Sequence, residues 1–256
     1  MKLFLYILLA SVVIYLALAV ALIFSQGLRQ LEGGSGIDFQ NTPRQSGRDP
    51  GLSHFIARDG ERLGVRHYDG VTADAPLVVL LHGSGWHGGA YIGLGSALNT
   101  VHGLEVLIPD LRGHGPAPTR RGDIDYIGQL EDNIADLLHA RGAADRPVYL
   151  VGHSSGGGLA IRFAGGQYGE MLNKVVLIAP FLKHDAPTAR RAGSGSGEGE
   201  GTNSWAHVLM RRLIGQIMLD SVGITAFNGL RVIQFSFPEH VLTGALGETA
   251  TRHYSY

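Results

Sequence analysis

Four short runs constrain this chain's fold more than any other feature: 77–81 (LVVLL), 104–109 (LEVLIP), 148–151 (VYLV) and 174–179 (KVVLIA). Each is too short for a stable helix, almost wholly apolar and rich in β-branched residues. Strands covered on both faces read this way, and such strands belong to parallel sheets packed between helices. Helical stretches separate the runs. In the clearest, Tyr126, Leu130, Ile134, Leu137 and Leu138 recur at helical spacing behind a candidate N-cap at Asp125. Upstream, 55–58 and 63–68 flank Asp59-Gly60, which predicts an antiparallel hairpin. Strand–helix alternation after an opening hairpin predicts an open α/β sheet, where chemistry collects at the C-terminal ends of the strands.

A different physics governs the N-terminus. Residues 3–24 read LFLYILLASVVIYLALAVALIF, with Ser11 and two tyrosines as the only polar side chains. About twenty such residues suffice to cross a bilayer as a helix. Lys2 precedes the run and favours an inside N-terminus, although Arg29 follows soon after. The rival reading is a cleaved signal peptide, because Ala19-Val20-Ala21 resembles a small-residue cleavage site. The run is long for a signal core and continues past that site, so a single-pass anchor over 1–25 is the expectation. Both readings place the remainder outside the cytoplasm, in the periplasm if the source is bacterial. Residues 26–53 turn polar and glycine-rich, with Pro43 and Pro50, as a flexible tether does. Residues 54–256 then form the expected α/β domain.

Composition narrows the function. At 256 residues and 45% hydrophobic, the chain can build a real core. The 21 basic and 22 acidic side chains nearly cancel, so no basic excess exists to neutralise phosphates and a nucleic-acid partner is not expected. With no cysteine, thiol nucleophiles, disulfides and cysteine-ligated metals are excluded together.

Three motifs fall at the ends of the apolar runs. Gly152-His153-Ser154-Ser155-Gly156 follows VYLV and opens into the helical stretch GGLAIRF. A G-x-S-x-G string alone is weak; a strand before it and a helix after it make it a nucleophile elbow. There Ser154 Oγ would stand above the sheet, and the Ser155 backbone N–H would point at a developing oxyanion. The alternative is a tight turn with an unreactive serine. His82-Gly83-Ser84-Gly85 follows LVVLL, and the Ser84 N–H is the candidate second oxyanion donor. His82 is read as a loop-organising histidine. Asp110-Leu111-Arg112-Gly113-His114-Gly115 ends LEVLIP; Asp110 and Arg112 are expected to hydrogen-bond within a tight loop, and His114 to be structural.

These motifs, in this order, resemble the α/β-hydrolase superfamily, and within it the lysophospholipase, monoacylglycerol lipase and serine aminopeptidase-like branch. The resemblance covers roughly 55–181. It implies an eight-stranded, mostly parallel sheet flanked by helices, a serine nucleophile at Ser154, Ser84 and Ser155 as oxyanion-hole donors, and acyl transfer without a metal or organic cofactor. Relatives carry a cap insertion, here expected at about 185–230. Its low-complexity segment RRAGSGSGEGEGTN would be a mobile loop, and 204–219 an amphipathic helix sharing Trp205, Val208, Leu209, Leu213 and Ile217 on one apolar face. Arg211 and Arg212 would meet anionic head groups or be solvated.

The triad is incomplete. A serine needs a base and an acid that orients it, and the family pattern puts these after two further buried strands. After the cap segment the sequence offers only 230–235 (LRVIQF), so the last two strands, the acid and the histidine are expected to be missing. Three explanations stay open: a fragment, which is favoured; a natural truncation; or a local substitute. For the last, Asp185 is a candidate acid and His207, His240 or His253 a candidate base, while His184 is read as structural. The resulting expectation is a membrane-anchored serine hydrolase of carboxylic esters, lipid-derived esters included. A non-catalytic α/β-hydrolase-like membrane protein and a serine peptidase are the alternatives.

Overall fold

A computed structural model describes residues 1–28, 47–183, 206–235 and 249–254. The chain forms two compact units, Asp38–Thr202 and a second assembled from Met1–Ile37 and Asn203–Tyr256. In chain order the elements are α1 (Lys2–Phe24), β1 (Leu52–Ile56), β2 (Arg62–Tyr68), β3 (Leu77–Leu81), α2 (Ile92–His102), β4 (Glu105–Pro109), α3 (Gln129–Ala140), β5 (Val148–His153), α4 (Ser155–Gly165), β6 (Lys174–Ile178), β7 (Ala206–Val208), α5 (Met210–Asp220), β8 (Arg231–Phe235) and β9 (Thr249–Thr251).

The first unit holds a six-stranded sheet in the order β1-β2-β4-β3-β5-β6. β1, β2 and β4 pair antiparallel; β4, β3, β5 and β6 run parallel. Each predicted apolar run is a strand. β3 and β4 are buried at every position, as strands covered on both faces must be, and Tyr68, Val78, Leu80, Val106 and Ile108 pack together as a core cluster. After β3 the chain adds β4 on one side, then returns to add β5 on the other. The C-terminal ends of β3 and β5 therefore lie side by side where the strand order reverses, which is the place where ligands bind in such sheets.

The predicted hairpin forms, with Gly60 at φ 86° in its turn. The helix predicted behind Asp125 begins later. Gly128, at φ 103°, interrupts the helical path and occupies the N-cap position. Asp125 instead exchanges two hydrogen bonds with the Gln129 side chain (2.7 and 3.0 Å), and Tyr126 donates to Asp132 Oδ2 at 2.5 Å. Leu130, Ile134, Leu137 and Leu138 are buried as the spacing requires.

In the second unit, β7, β8 and β9 form an antiparallel sheet. The run 230–235 is thus a strand, but of this separate sheet. The helix expected over 204–219 is also corrected. Ala206–Val208 is drawn into pairing with β8, and the helix starts only at Met210. Its buried positions are Gly215, Gln216 and Leu219, whereas Val208 and Ile217 are exposed and Leu213 is half-buried; Trp205 lies outside the described residues. Among the described residues, α1 is the one helix long and apolar enough to cross a membrane, with a mean hydropathy of 2.9.

Candidate active site

The turn from β5 to α4 places Ser154 between the last strand residue, His153, and the first helical residue, Ser155. Its backbone sits at φ 54°, ψ −123°, a region that non-glycine residues avoid. Four hydrogen bonds hold it there. Its N–H donates to Ile178 O at 3.0 Å, and its carbonyl accepts from Gly157, Gly158 and Phe181 N–H groups at 2.9, 3.3 and 2.8 Å. The flanking glycines are a steric requirement. A Cβ on Gly152 would stand 2.3 Å from Gly156 O, and one on Gly156 would stand 2.5 Å from His82 O. The geometry is that of a nucleophile elbow.

The loop after β3 lies directly against this turn. A Cβ on Gly83 would come 3.1 Å from the Ser154 Cβ, and the Ser84 hydroxyl donates to the Ser155 hydroxyl at 2.8 Å. The structure thus brings Ser84, Ser154 and Ser155 together. Among the described residues, neither the Ser84 nor the Ser155 backbone N–H is engaged in a hydrogen bond.

His82 is fully buried and works inside the scaffold, as its place in the motif predicted. Its Nε2 accepts from Leu111 N–H at 3.0 Å and its Nδ1–H donates to Gly83 O at 2.9 Å, an assignment that needs the neutral ring. Burial pushes its pKa down to about 3, so the ring carries no charge near neutrality. His114 is also buried, its ring 5.1 Å from that of His82, and is likewise pushed down to about 3 by desolvation. These two rings pin the loops after β3 and β4 to each other.

The third motif reaches further than its own loop. Asp110 Oδ1 accepts from Arg66 on β2 at 3.3 Å and from Gly88 N–H at 2.7 Å. Buried Arg112 donates to Asn133 on α3 at 2.9 Å and forms ion pairs with Asp59 and Glu61 at the hairpin turn. The expectation of bonds confined to a tight loop is therefore replaced by a cross-link between hairpin, loop and helix. A guanidinium's planar fork can satisfy three partners at once, which is what this position demands.

Sequence reasoning passed over two further features of the elbow. Gly157 and Gly158 face the segment after β6: a Cβ would stand 2.8 Å from Pro180 Cβ at the first and 2.5 Å from Phe181 O at the second. The run of three glycines was the available signal. His153 packs edge-on to Tyr91, with ring centroids 6.3 Å apart; burial lowers the histidine's pKa and pushes the tyrosine's up to about 12. Among the described residues, the Ser154 hydroxyl makes no hydrogen bond to a base. Of the candidate triad members, His207 lies in β7 and His253 just after β9, both in the second unit; Asp185 and His240 fall outside the described residues, as does His184, read as structural.

The family described as "Serine aminopeptidase, S33" matches residues 72–220, more than half of the 256 residues. A probable protein phosphatase methylesterase 1 of Caenorhabditis elegans is 38% identical over 89 residues, 34% of this chain and 24% of that protein. Human monoglyceride lipase is 30% identical over 138 residues, 51% of this chain and 43% of that enzyme. The crystal structure of a soluble variant of monoglyceride lipase from Saccharomyces cerevisiae, in complex with a substrate analogue, superposes with a TM-score of 0.46 at 23% identity, covering 54% of this chain and 47% of that one. The chain spans less than half the length of these relatives. It belongs to the serine aminopeptidase S33 family of α/β hydrolases, and monoglyceride lipases are among the proteins it resembles.

Proposed function

We propose that this protein is a serine hydrolase that cleaves carboxylic esters through an acyl-enzyme on Ser154. The observation that carries the reading is the Ser154 backbone, held at φ 54°, ψ −123° between a parallel strand and a helix. Such a turn lifts the hydroxyl clear of the sheet at the positive end of α4. Ser154 Oγ attacks the ester carbonyl and passes its proton to a base, while the carbonyl π electrons move onto oxygen. The unengaged Ser84 and Ser155 N–H groups then stabilise that oxyanion. Collapse breaks the bond to the alcohol, which leaves with the proton, and water releases the acid in a second, equivalent step.

Among the described residues, no histidine is hydrogen-bonded to the Ser154 hydroxyl. The candidates within the sequence remain Asp185 as acid and His207, His240 or His253 as base. Monoglyceride lipase relatives favour a lipid-derived ester, and the apolar α1 favours a membrane-anchored enzyme with its catalytic domain outside the cytoplasm. A second reading, a non-catalytic membrane protein of this fold, is favoured by the Ser154 hydroxyl having no basic partner among the described residues.

One experiment separates them. The detergent-solubilised full chain is treated with a fluorophosphonate probe and assayed on p-nitrophenyl esters of increasing acyl length, with an aminoacyl-anilide as peptidase control. Labelling and ester turnover that both disappear in Ser154→Ala, with turnover down at least about a thousandfold, support the enzyme. A folded chain that neither labels nor turns over supports the non-catalytic reading. Cleavage of the anilide alone would transfer the assignment to a peptidase.

A further inference from the structure

Within the second unit, α1 is not bare along its whole length. Tyr15, Leu16, Ala19, Leu22, Ile23 and Gln26 turn toward α5 at helical spacing, and Ala19, Ile23 and Leu219 form a buried cluster. The two helices run antiparallel. The Arg211 N–H donates to Gln26 Oε1 at 2.7 Å at one end, and Tyr15 Oη donates to Met218 O at 3.0 Å at the other. Between them Gly215 lets the backbones meet, since a Cβ there would stand 2.5 Å from Ala19 O.

Two polar side chains of α5, Gln216 and Arg212, turn inward, while apolar ones are left outside. Gln216, fully buried, donates to Phe227 O and Leu230 O at 2.7 and 3.2 Å. The Arg212 guanidinium caps carbonyls of Ile23, Gln26 and Arg231. On the opposite side of α5, Met210, Ile214 and Ile217 are 53%, 45% and 49% exposed, and Phe24 on α1 is exposed as well. Spaced at i, i+4 and i+7, the α5 residues form one stripe. In water that arrangement is unfavourable. Against hydrocarbon the stripe is favourable, and the inward bonds of the Gln216 amide N–H and the Arg212 guanidinium keep those donors away from lipid.

We propose that α5 is a second membrane-contacting helix: docked on the C-terminal half of α1, it presents the Met210–Ile214–Ile217 stripe to the lipid bilayer. The occupant is lipid because the stripe adjoins a helix whose remaining surface, over 3–14, is exposed and apolar on every side. That stretch is about 18 Å of helix, short of the roughly 30 Å hydrocarbon core, so the bilayer must also accommodate part of the packed half. Arg211, exposed beside Gln26, then lies where a cation reaches head groups. The inference rests on the membrane reading of α1, and is independent of Ser154 chemistry.

The lack of native cysteine makes the test clean, because any introduced thiol is unique. Leu9→Cys, Ile214→Cys and Val71→Cys, the last exposed in the first unit, each carry an environment-sensitive fluorophore on the full chain. The protein is reconstituted in phosphatidylcholine vesicles containing nitroxide-labelled phosphatidylcholine. The expected result is quenching by lipid nitroxide at positions 9 and 214, none at 71, and the reverse order with aqueous iodide. Adding Gly215→Leu should abolish lipid quenching at 214 while leaving it intact at 9. Quenching at 9 with iodide access at 214 overturns the proposal alone; no quenching at 9 overturns the membrane reading and the proposal with it. Protection at 214 that vanishes when protein is diluted at fixed lipid assigns the stripe to a second copy of the chain instead.

Discussion

Ser154 is one of two non-glycine residues at positive φ among the described residues, and its environment shows how that conformation persists. Strain of this kind is worth about 1–3 kcal/mol and survives only where the surroundings over-determine it. Here four hydrogen bonds and two glycine contacts do so. Gly156→Ala is therefore expected to lower stability by about 2–3 kcal/mol, because the new methyl meets carbonyl oxygens of Leu81 and His82 rather than a movable side-chain end. Urea denaturation checks this, and fluorophosphonate labelling should fall in the surviving folded fraction. The turn at Ser154 was legible in the sequence because it is a local device: strand, sharp turn and helix all lie within 148–165. Gly157 and Gly158 were not, since their need for glycine comes from Pro180 and Phe181, more than twenty residues away.

Between elements, Arg112 is the clearest tie. Nearly buried, it binds Asn133 on α3 and both acids of the β1–β2 turn, so three segments distant in sequence share one guanidinium. Arg112→Met keeps the volume and leaves Glu61 and Asn133 without their cation. A loss of about 3 kcal/mol is expected, at the lower end for broken buried pairs because Asp59 is partly exposed. Arg112→Lys should recover little of it, as an ammonium cannot reproduce the fork; thermal unfolding of the two variants decides. The strands of the first unit were readable because two-sided burial leaves an unmistakable apolar run. The second unit was harder. Ala206–Val208 is a strand only because β8 pairs with it, and α5 buries Gly215 and Gln216 because α1 supplies the partner surface and Phe227 and Leu230 supply carbonyls. No periodicity within 204–219 encodes those partners.

For the whole molecule, the buried neutral histidines make stability pH-dependent. His82 and His114 have ordinary pKa values of 6.5, lowered to about 3 by burial in the folded state. Between those values the unfolded chain binds protons that the folded chain refuses. Stability is thus greatest above pH 6.5 and falls as pH drops toward 3, by at most about 1.4 kcal/mol per pH unit for each ring. Unfolding midpoints measured between pH 7 and pH 5 should decline, and more shallowly in His82→Gln, which removes one of the two titrating groups. An unchanged slope in that variant would show that His82 takes up its proton without unfolding.

β6 has a consequence for handling the protein. It ends the six-stranded sheet among the described residues, and Val176, Leu177 and Ile178 are each at least 40% exposed. Such a strand offers unpaired backbone groups beside greasy side chains, which is a template for sticking to other copies. Purified material is therefore expected to gain turbidity with concentration and time even when detergent covers α1. Val176→Lys, which blunts the edge without touching the Ser154 turn, should lengthen the interval before light scattering rises.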